Sequence, residues 1–290
     1  MYQDITELFC CIDDFCKDVQ KNERSKTLGD NRNPTRFPSI SESEITTIVT
    51  LFQMSGMKNF KDFYYRVTPY YSNEFPKKPS YNRFVELIPR VFIYFSYLLA
   101  AIIHSNPKDG VFFIDATSLV VCHNKRISRH KVFEGMAERG KTSMGWFFGL
   151  KLHLVIDRKG RIRGFKITPG NTHDTKAAES MTQHLKGLIF GDRGYLSTGL
   201  FESLYKRGLK IVTTIRKNMK NKLLTIYEKS TLRKRFIIET VFDLLKNKLS
   251  LWHTRHRSPQ NALVHLFACL FAYSLKPNKP ALSMPSLIPS

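Results

Sequence analysis

Apolar positions recur at helical spacing through the first hundred residues, and from Val111 onward the pattern becomes strand-like. In "ITELFCCIDDFCKDV", Ile5, Leu8, Phe9, Ile12 and Phe15 share one helical face, which makes Cys16 a packing residue. A loop, "GDNRNPTRFPS" (29–39), precedes "SESEITTIVTLF", whose Ser41 and Glu44 form a capping-box pattern. That helix stops near "MSGMKN", and "FKDFYYRV" adds a short one, so a helix-turn-helix DNA reader is one reading and an ordinary helical domain another. A further helix starts at Ser80 and leads into "VFIYFSYLLAAII" (91–103), an apolar run too short to span a bilayer and read as a buried helix. "SNPKDG" (105–110) is the joint.

Beyond the joint, "VFFIDATS" reads as a strand, "FFGLKLHLVID" (147–157) and "RIRGFKITPG" (161–170) as a hairpin around "DRKG", and "DTKAAESMTQHL" as a helix. "LIFGD" and "KIVTTIR" read as strands on either side of the helix "STGLFESLYKRG", and "STLRKRFIIETVFDLLKNKLS" as one long helix. The expected fold is therefore α+β: a helical N-terminal domain, then a mixed sheet flanked by helices. The domain limits fall at 1–108 and 109–275, with a basic insertion at about 120–145 and a flexible, proline-rich tail at 276–290.

Charge changes the picture. The 46 Lys and Arg against 24 Asp and Glu leave a net +22 over 290 residues, which points to a polyanionic partner. The basic residues cluster: Lys206 to Arg235 holds eleven Lys or Arg and a single acid, Glu228. A second cluster contains Lys125, Arg126, Arg129, Lys131, Arg139 and Lys141. The 5 cysteines have no zinc-like spacing and read as reduced thiols, and the polar, acidic N-terminus is unlike a signal peptide, so a cytoplasmic protein is expected.

Three carboxylates stand where an unpaired charge is costly. Asp115 lies within an apolar strand, Asp192 ends another, and Glu239 sits between Ile238 and Val241 in the last long helix. One carboxylate from each of three elements suits a divalent ion, because Mg²⁺ keeps several waters and needs few protein ligands. At about 100° per residue, Arg235 and Lys246 share the face of Glu239, placed to hold phosphate. Arg193 could instead pair with Asp192. Asp157 in its turn and Asp174 as a helix cap have structural explanations, Asp243 is the rival to Glu239, and His173 is a loop residue or a helper at the site. His253 and His256 lack a third zinc ligand and are read as touching DNA or solvent.

With "FFIDAT", "GDRGY" and "RxxxExxxxxxK" in that order, the chain resembles the DDE transposases of bacterial insertion sequences, which have a ribonuclease-H-like catalytic core. "ELFCCIDDFCK" and "PSYNRFVEL" are similar in particular to the insertion-sequence family numbered 982, and the resemblance covers roughly residues 1 to 275. Leu232 stands where the family's motif often has a tyrosine.

The resemblance implies binding of terminal inverted repeats, hydrolytic strand cleavage and joining of a 3′-OH to target DNA. It implies two Mg²⁺ ions, or Mn²⁺ in their place, on Asp115, Asp192 and Glu239, with Arg235 and Lys246 on phosphates. A homodimer or higher oligomer on double-stranded DNA follows by the same analogy. Lys125, Arg126, Arg129 and His130 are further candidate DNA contacts. An inactive DNA-binding remnant and a ribonuclease-H-like nuclease are the alternatives.

Overall fold

The computed structural model describes residues 4–26, 39–105, 109–143, 145–214, 224–252 and 256–282. The chain divides into two compact units, Met1–Ile102 with Leu245–Pro277, and Ile103–Leu244 with Asn278–Ser290. Residues 29–38 of the expected loop, 106–108 of the joint, the basic stretch 215–223 and His253 lie outside the described residues.

The first unit is helical: α1 (Ile5–Lys26), α2 (Glu42–Ser55), α3 (Phe60–Arg66), α4 (Tyr81–Leu87), α5 (Phe92–Ser105) and the C-terminal α10 (Pro259–Leu275). The capping box of α2 forms as its sequence predicts, with the Ser41 N–H donating to Glu44 Oε2 at 2.7 Å and the Glu44 N–H to Ser41 Oγ at 3.1 Å. Such a cap contributes about 1 kcal/mol. Gly56 ends the helix at φ 70°, a left-handed conformation open to glycine. The following α3 is only seven residues long, and its Phe63 and Tyr64 are buried among Phe52, Phe60, Tyr81 and Phe84.

Two sequence expectations change here. The apolar stretch is longer than its 91–103 core, because the chain stays helical through a 3₁₀ turn at Ile88–Val91. Tyr81–His104 is thus 24 residues long and includes an 18-residue segment of mean hydropathy 1.7, long and apolar enough by length and composition to cross a membrane. Val91, Phe95 and Leu99 are each fully buried within the protein.

The second change concerns α10, expected in the strand-bearing domain, which belongs with the N-terminal helices. Its apolar residues cover α2, and its buried His265 is held from both sides. The ring Nε2–H donates to the Ser250 carbonyl at 2.9 Å, which leaves Nδ1 to accept from the Gln53 amide at 2.9 Å.

The second unit is a six-stranded mixed sheet with helices. Its strands are β1 (Val111–Cys122), β2 (Glu138–Thr142), β3 (Gly145–Asp157), β4 (Ile162–Pro169), β5 (Gly187–Gly191) and β6 (Leu209–Thr213), in the order β2-β3-β1-β5-β6 with β4 also on β3. β1 runs antiparallel to β3 and parallel to β5, and β5 is parallel to β6. The helices α6 (Asp174–Met181) and α7 (Thr198–Lys206) lie with this sheet in sequence and space. Phe112, Ile114, Val155 and Ile189 pack on one face with Ala177, Ala178 and Met181 of α6 and Leu200 and Leu204 of α7. This is the mixed sheet with flanking helices that the strand order led us to expect.

β2 was not foreseen. "ERGKT" has no apolar alternation because it is an edge strand whose Glu138, Arg139 and Lys141 are exposed, and charged residues are what keeps such an edge from pairing further. The tail also differs from expectation up to its last described residue, since the Leu282 N–H donates to the Arg158 carbonyl at 2.8 Å.

Asp157 has the structural role expected of it. Fully buried at the β3–β4 turn, it accepts from Arg163 at 2.7 and 2.9 Å and from Arg161 Nε at 2.8 Å, and it also takes the Lys159 and Arg161 N–H groups. Asp157→Ala leaves the buried Arg163 uncompensated, and we expect a loss of about 3–5 kcal/mol, read as a lower urea midpoint for the sheet unit by tryptophan fluorescence. A midpoint unchanged from wild type contradicts this assignment.

Candidate active site

Register determines where the acids stand. In the parallel pairing of β1 with β5, Phe113 lies opposite Phe190, and their rings are 5.8 Å apart on one face of the sheet. Side chains alternate along a strand, so the residues two steps further on emerge from that same face. Those residues are Asp115 and Asp192. Asp192 leaves the strand as the cap of a 3₁₀ turn, Arg193–Tyr195, where its Oδ1 accepts the Gly194 N–H at 2.8 Å. Arg193 is exposed and makes no ion pair among the described residues, so it is not the partner of Asp192.

Asp115 is the more stressed of the two. Its Oδ1 accepts the Ala116 N–H at 2.8 Å, and its Oδ2 lies 3.0 Å from Arg235 Nη1. Burial pushes its pKa up to about 6, the charges of Asp192 and Glu239 push the same way, and the Ala116 hydrogen bond and Arg235 only partly oppose them.

Arg235 belongs to a 3₁₀ turn, Lys234–Phe236, that links α8 (Ile226–Arg233) to α9 (Ile237–Asp243). The single long helix read from the sequence is thus a broken one, begun by the capping box of Thr225 and Glu228. Arg235 also reaches Glu239, with Nη2 3.5 Å from Oε1, and Glu239 is 61% exposed. The guanidinium therefore bridges the acid of β1 and the acid of α9. Among the described residues no three His, Cys, Asp or Glu converge at ligand spacing, and a cation already stands between two of the three expected acids.

The family described as transposase DDE domain matches residues 105–259. The chain belongs to that family. No curated protein matches the chain. Among solved structures it is similar to a piggyBac transposase synaptic complex with hairpin DNA, at 10% identity over 84% of this chain and 68% of that one, with a TM-score of 0.49. It is also similar to a Mos1 transposase paired-end complex with left transposon end, at 11% identity over 89% and 87% and a TM-score of 0.27. A Mos1 mariner paired-end complex with Mn gives 10% identity, 89% and 87%, and 0.28.

The other candidate residues of the transposase are spread over both units. Lys246 lies in a π-helical turn, Leu244–Lys248, whose wider winding breaks the 100° step behind its predicted alignment with Glu239. It belongs to the helical unit, where its ammonium sits 4.6 Å over the Trp252 ring and burial lowers its pKa. Lys125, Arg126 and Arg129 are exposed together on a 3₁₀ turn capped by His123, as a phosphate-binding surface requires. His130 follows that turn and is partly exposed, its ring stacking on Phe133 and meeting Phe148 edge-on. His256 packs its ring 4.9 Å from His265.

His173 satisfies a local backbone group, as its loop reading expects, and takes the cap expected of Asp174. His173 caps α6, its Nδ1 accepting the Thr175 N–H at 3.4 Å, and Asp174 is left to face Lys151 and His153 of β3. His153 is fully buried, with Nε2 2.8 Å from Thr168 Oγ1, and burial lowers its pKa to about 4. No local motif marks these β3 residues; only their alternation within an otherwise apolar strand, "GLKLHLV", singles them out.

The raised pKa of Asp115 has a thermodynamic signature. The folded carboxyl holds its proton to about pH 6 while the unfolded one releases it near 3.8, so the contribution to stability is full at low pH and disappears as pH rises through about 6. We expect the melting temperature of wild type, relative to Asp115→Asn, to fall between pH 4 and pH 6.5 and then level off. A difference that is flat across this range contradicts the assignment.

Proposed function

We infer that this transposase belongs to an insertion sequence, that it binds the terminal inverted repeats of its element, cleaves DNA strands by hydrolysis, and joins the 3′-OH ends to target DNA. The observation that carries the reading is the parallel β1–β5 register, which brings Asp115 and Asp192 out side by side with Glu239 tethered through Arg235. Family membership supports it, as does the net charge of +22, the balance expected of a protein that binds polyphosphate.

The acids fit a divalent cation. Asp115 is destabilised by its neighbouring carboxylates, and a positive ion relieves that repulsion. Asp115 and Asp192 would hold it and Glu239 would complete the set, with Mg²⁺ the proposed ion and Mn²⁺ able to replace it. When bound, such ions supply an activated water and stabilise the attacking and leaving oxygens of an in-line displacement.

The chain's own residues do the remainder. Arg235, released from Asp115, is placed to pair with a phosphate beside the site. Lys125, Arg126 and Arg129 hold flanking duplex through its backbone, which fixes position without reading sequence. Engagement of two element ends calls for at least two copies of the chain, and we propose a homodimer on DNA acting in the cytoplasm. Specific assignment to the insertion-sequence family numbered 982 rests on the N-terminal segments.

The test is nicking of a labelled duplex carrying the element's end, with Mg²⁺ or with EDTA. Metal-dependent cutting at the repeat boundary, reduced at least a hundredfold in Asp192→Asn while DNA binding persists, is the expected result. Equal cutting by the variant removes Asp192 from the site, and binding without cutting in Mg²⁺ or Mn²⁺ identifies a DNA-binding remnant.

A separate expectation concerns the exposed basic turn. Replacing Lys125, Arg126 and Arg129 together by Gln should lower the slope of log affinity against log salt by up to about 3, measured by fluorescence anisotropy. An unchanged slope shows that these side chains do not touch phosphate.

A further inference from the structure

Trp146, at the start of β3, is 58% exposed in a strand whose other residues are buried or half-buried. Register fixes its surroundings. β2 lies antiparallel to β3 with Lys141 opposite Trp146 and Arg139 opposite Phe148, so these four side chains share one face. Gly140 and Phe147 take the other face, where Phe147 is buried and a side-chain carbon on Gly140 would meet its ring at 2.7 Å. The indole is therefore held outward by the packing of its neighbour.

The ring has a cation on one side and a basic surface around it. The Lys141 ammonium stands 5.5 Å from the indole centroid, a cation–π contact that covers one face of the ring and leaves the other to solvent. Asn124 Nδ2 donates to the Trp146 carbonyl at 2.8 Å, which ties the exposed turn of Lys125, Arg126 and Arg129 to the start of this strand. Glu138, the acid nearest in β2, alternates to the opposite face from Arg139 and Lys141. Phe148 continues the aromatic row, edge-on to His130.

Cations alone would match any polyanion, but a fixed, half-covered indole among them matches one that also carries flat rings. Nucleic acid offers phosphates and π-faces together, and stacking of a base on an aromatic side chain is a main source of affinity for unpaired strands. Inside a duplex each base face is covered by its neighbours, so the base that stacks is an unpaired or terminal one. Position on the sheet agrees. Leu154 pairs with Asp115, and the irregularity of the β1–β3 pairing lies in β1, so Trp146 emerges on the face that carries Asp115, about 26 Å along the strand.

We propose that Trp146 stacks on an unpaired or terminal base of the bound DNA, while Arg139, Lys141 and the turn of Lys125, Arg126 and Arg129 hold the phosphates beside it. The partner rests on the transposase reading above. What is added is the form of the DNA: a strand with an exposed base at this hairpin rather than continuous duplex.

The experiment is a fluorescence titration of the full chain carrying Trp252→Phe, which leaves Trp146 as the one tryptophan of the 2 in the sequence. The probes are a blunt duplex and the same duplex with a three-thymidine 3′ extension. Trp146 emission should fall to less than half with the extended duplex and change little with the blunt one. By anisotropy, Trp146→Ala should lose at least tenfold in affinity for the extended duplex and less than twofold for the blunt one. Trp146→Phe keeps a ring and should retain most of the preference, which guards against misfolding of the alanine variant. Equal quenching by both probes, no quenching by either, or equal affinity of wild type and Trp146→Ala for the extended duplex overturns the proposal.

Nicking separates its failure from that of the transposase reading. Metal-dependent cutting lost in Asp192→Asn, with Trp146 emission indifferent to the extension, refutes the stacking platform and leaves the transposase reading in place. Selective quenching in a protein that never cuts DNA does the reverse.

Discussion

The parallel pairing of β1 with β5 is the constraint on which the site depends. Residues on neighbouring parallel strands advance in step, so once Phe113 and Phe190 pack against one another, Asp115 and Asp192 have no choice of face. A slip of one residue in β5 would send Asp192 to the side that carries Ile114 and Ile189, against α6 and α7. The apolar residues that fix the register are therefore what positions the acids, and the core and the site form a single design.

That arrangement costs electrostatic energy, and the fold supplies the compensation. Two buried-edge carboxylates on adjacent strands repel, which is part of why Asp115 keeps its proton to about pH 6. Arg235 comes from a 3₁₀ turn between two helices and brings one guanidinium to both Asp115 and Glu239. A planar, permanently charged fork suits this bridging position better than the point charge of a lysine. Pairing also makes Arg235 a competitor of any cation that the acids receive, so ion binding and release of Arg235 are linked.

Much of this was legible in the sequence because the strong signals are local. An aspartate inside "VFFIDAT" or after "LIFG" stands out against apolar neighbours, and the strand runs themselves are continuous because the sheet is covered on both faces. The less legible features are long-range or carry weak patterns. β2 is polar because it is an edge, so it resembles a loop. The ring packing of His130 depends on Phe133 and Phe148, and the second of these comes from β3. Asp174 looked like a helix cap because its position allows one, and only the fold shows that His173 takes that role. The π-helical turn at Leu244–Lys248 carries no signal in the sequence, where the helix reads as regular winding.

The central claim is that strand register presses Asp115 against a second carboxylate, and it is tested most directly by titrating Asp115 itself. The side-chain carboxyl of the metal-free, DNA-free protein can be followed by carbon-13 NMR in wild type and in Asp192→Asn. The account predicts an Asp115 pKa of about 6 in wild type and a lower value in the variant, where burial remains but one of the opposing charges is gone. A wild-type value near 3.8, or the same raised value in both proteins, would contradict it.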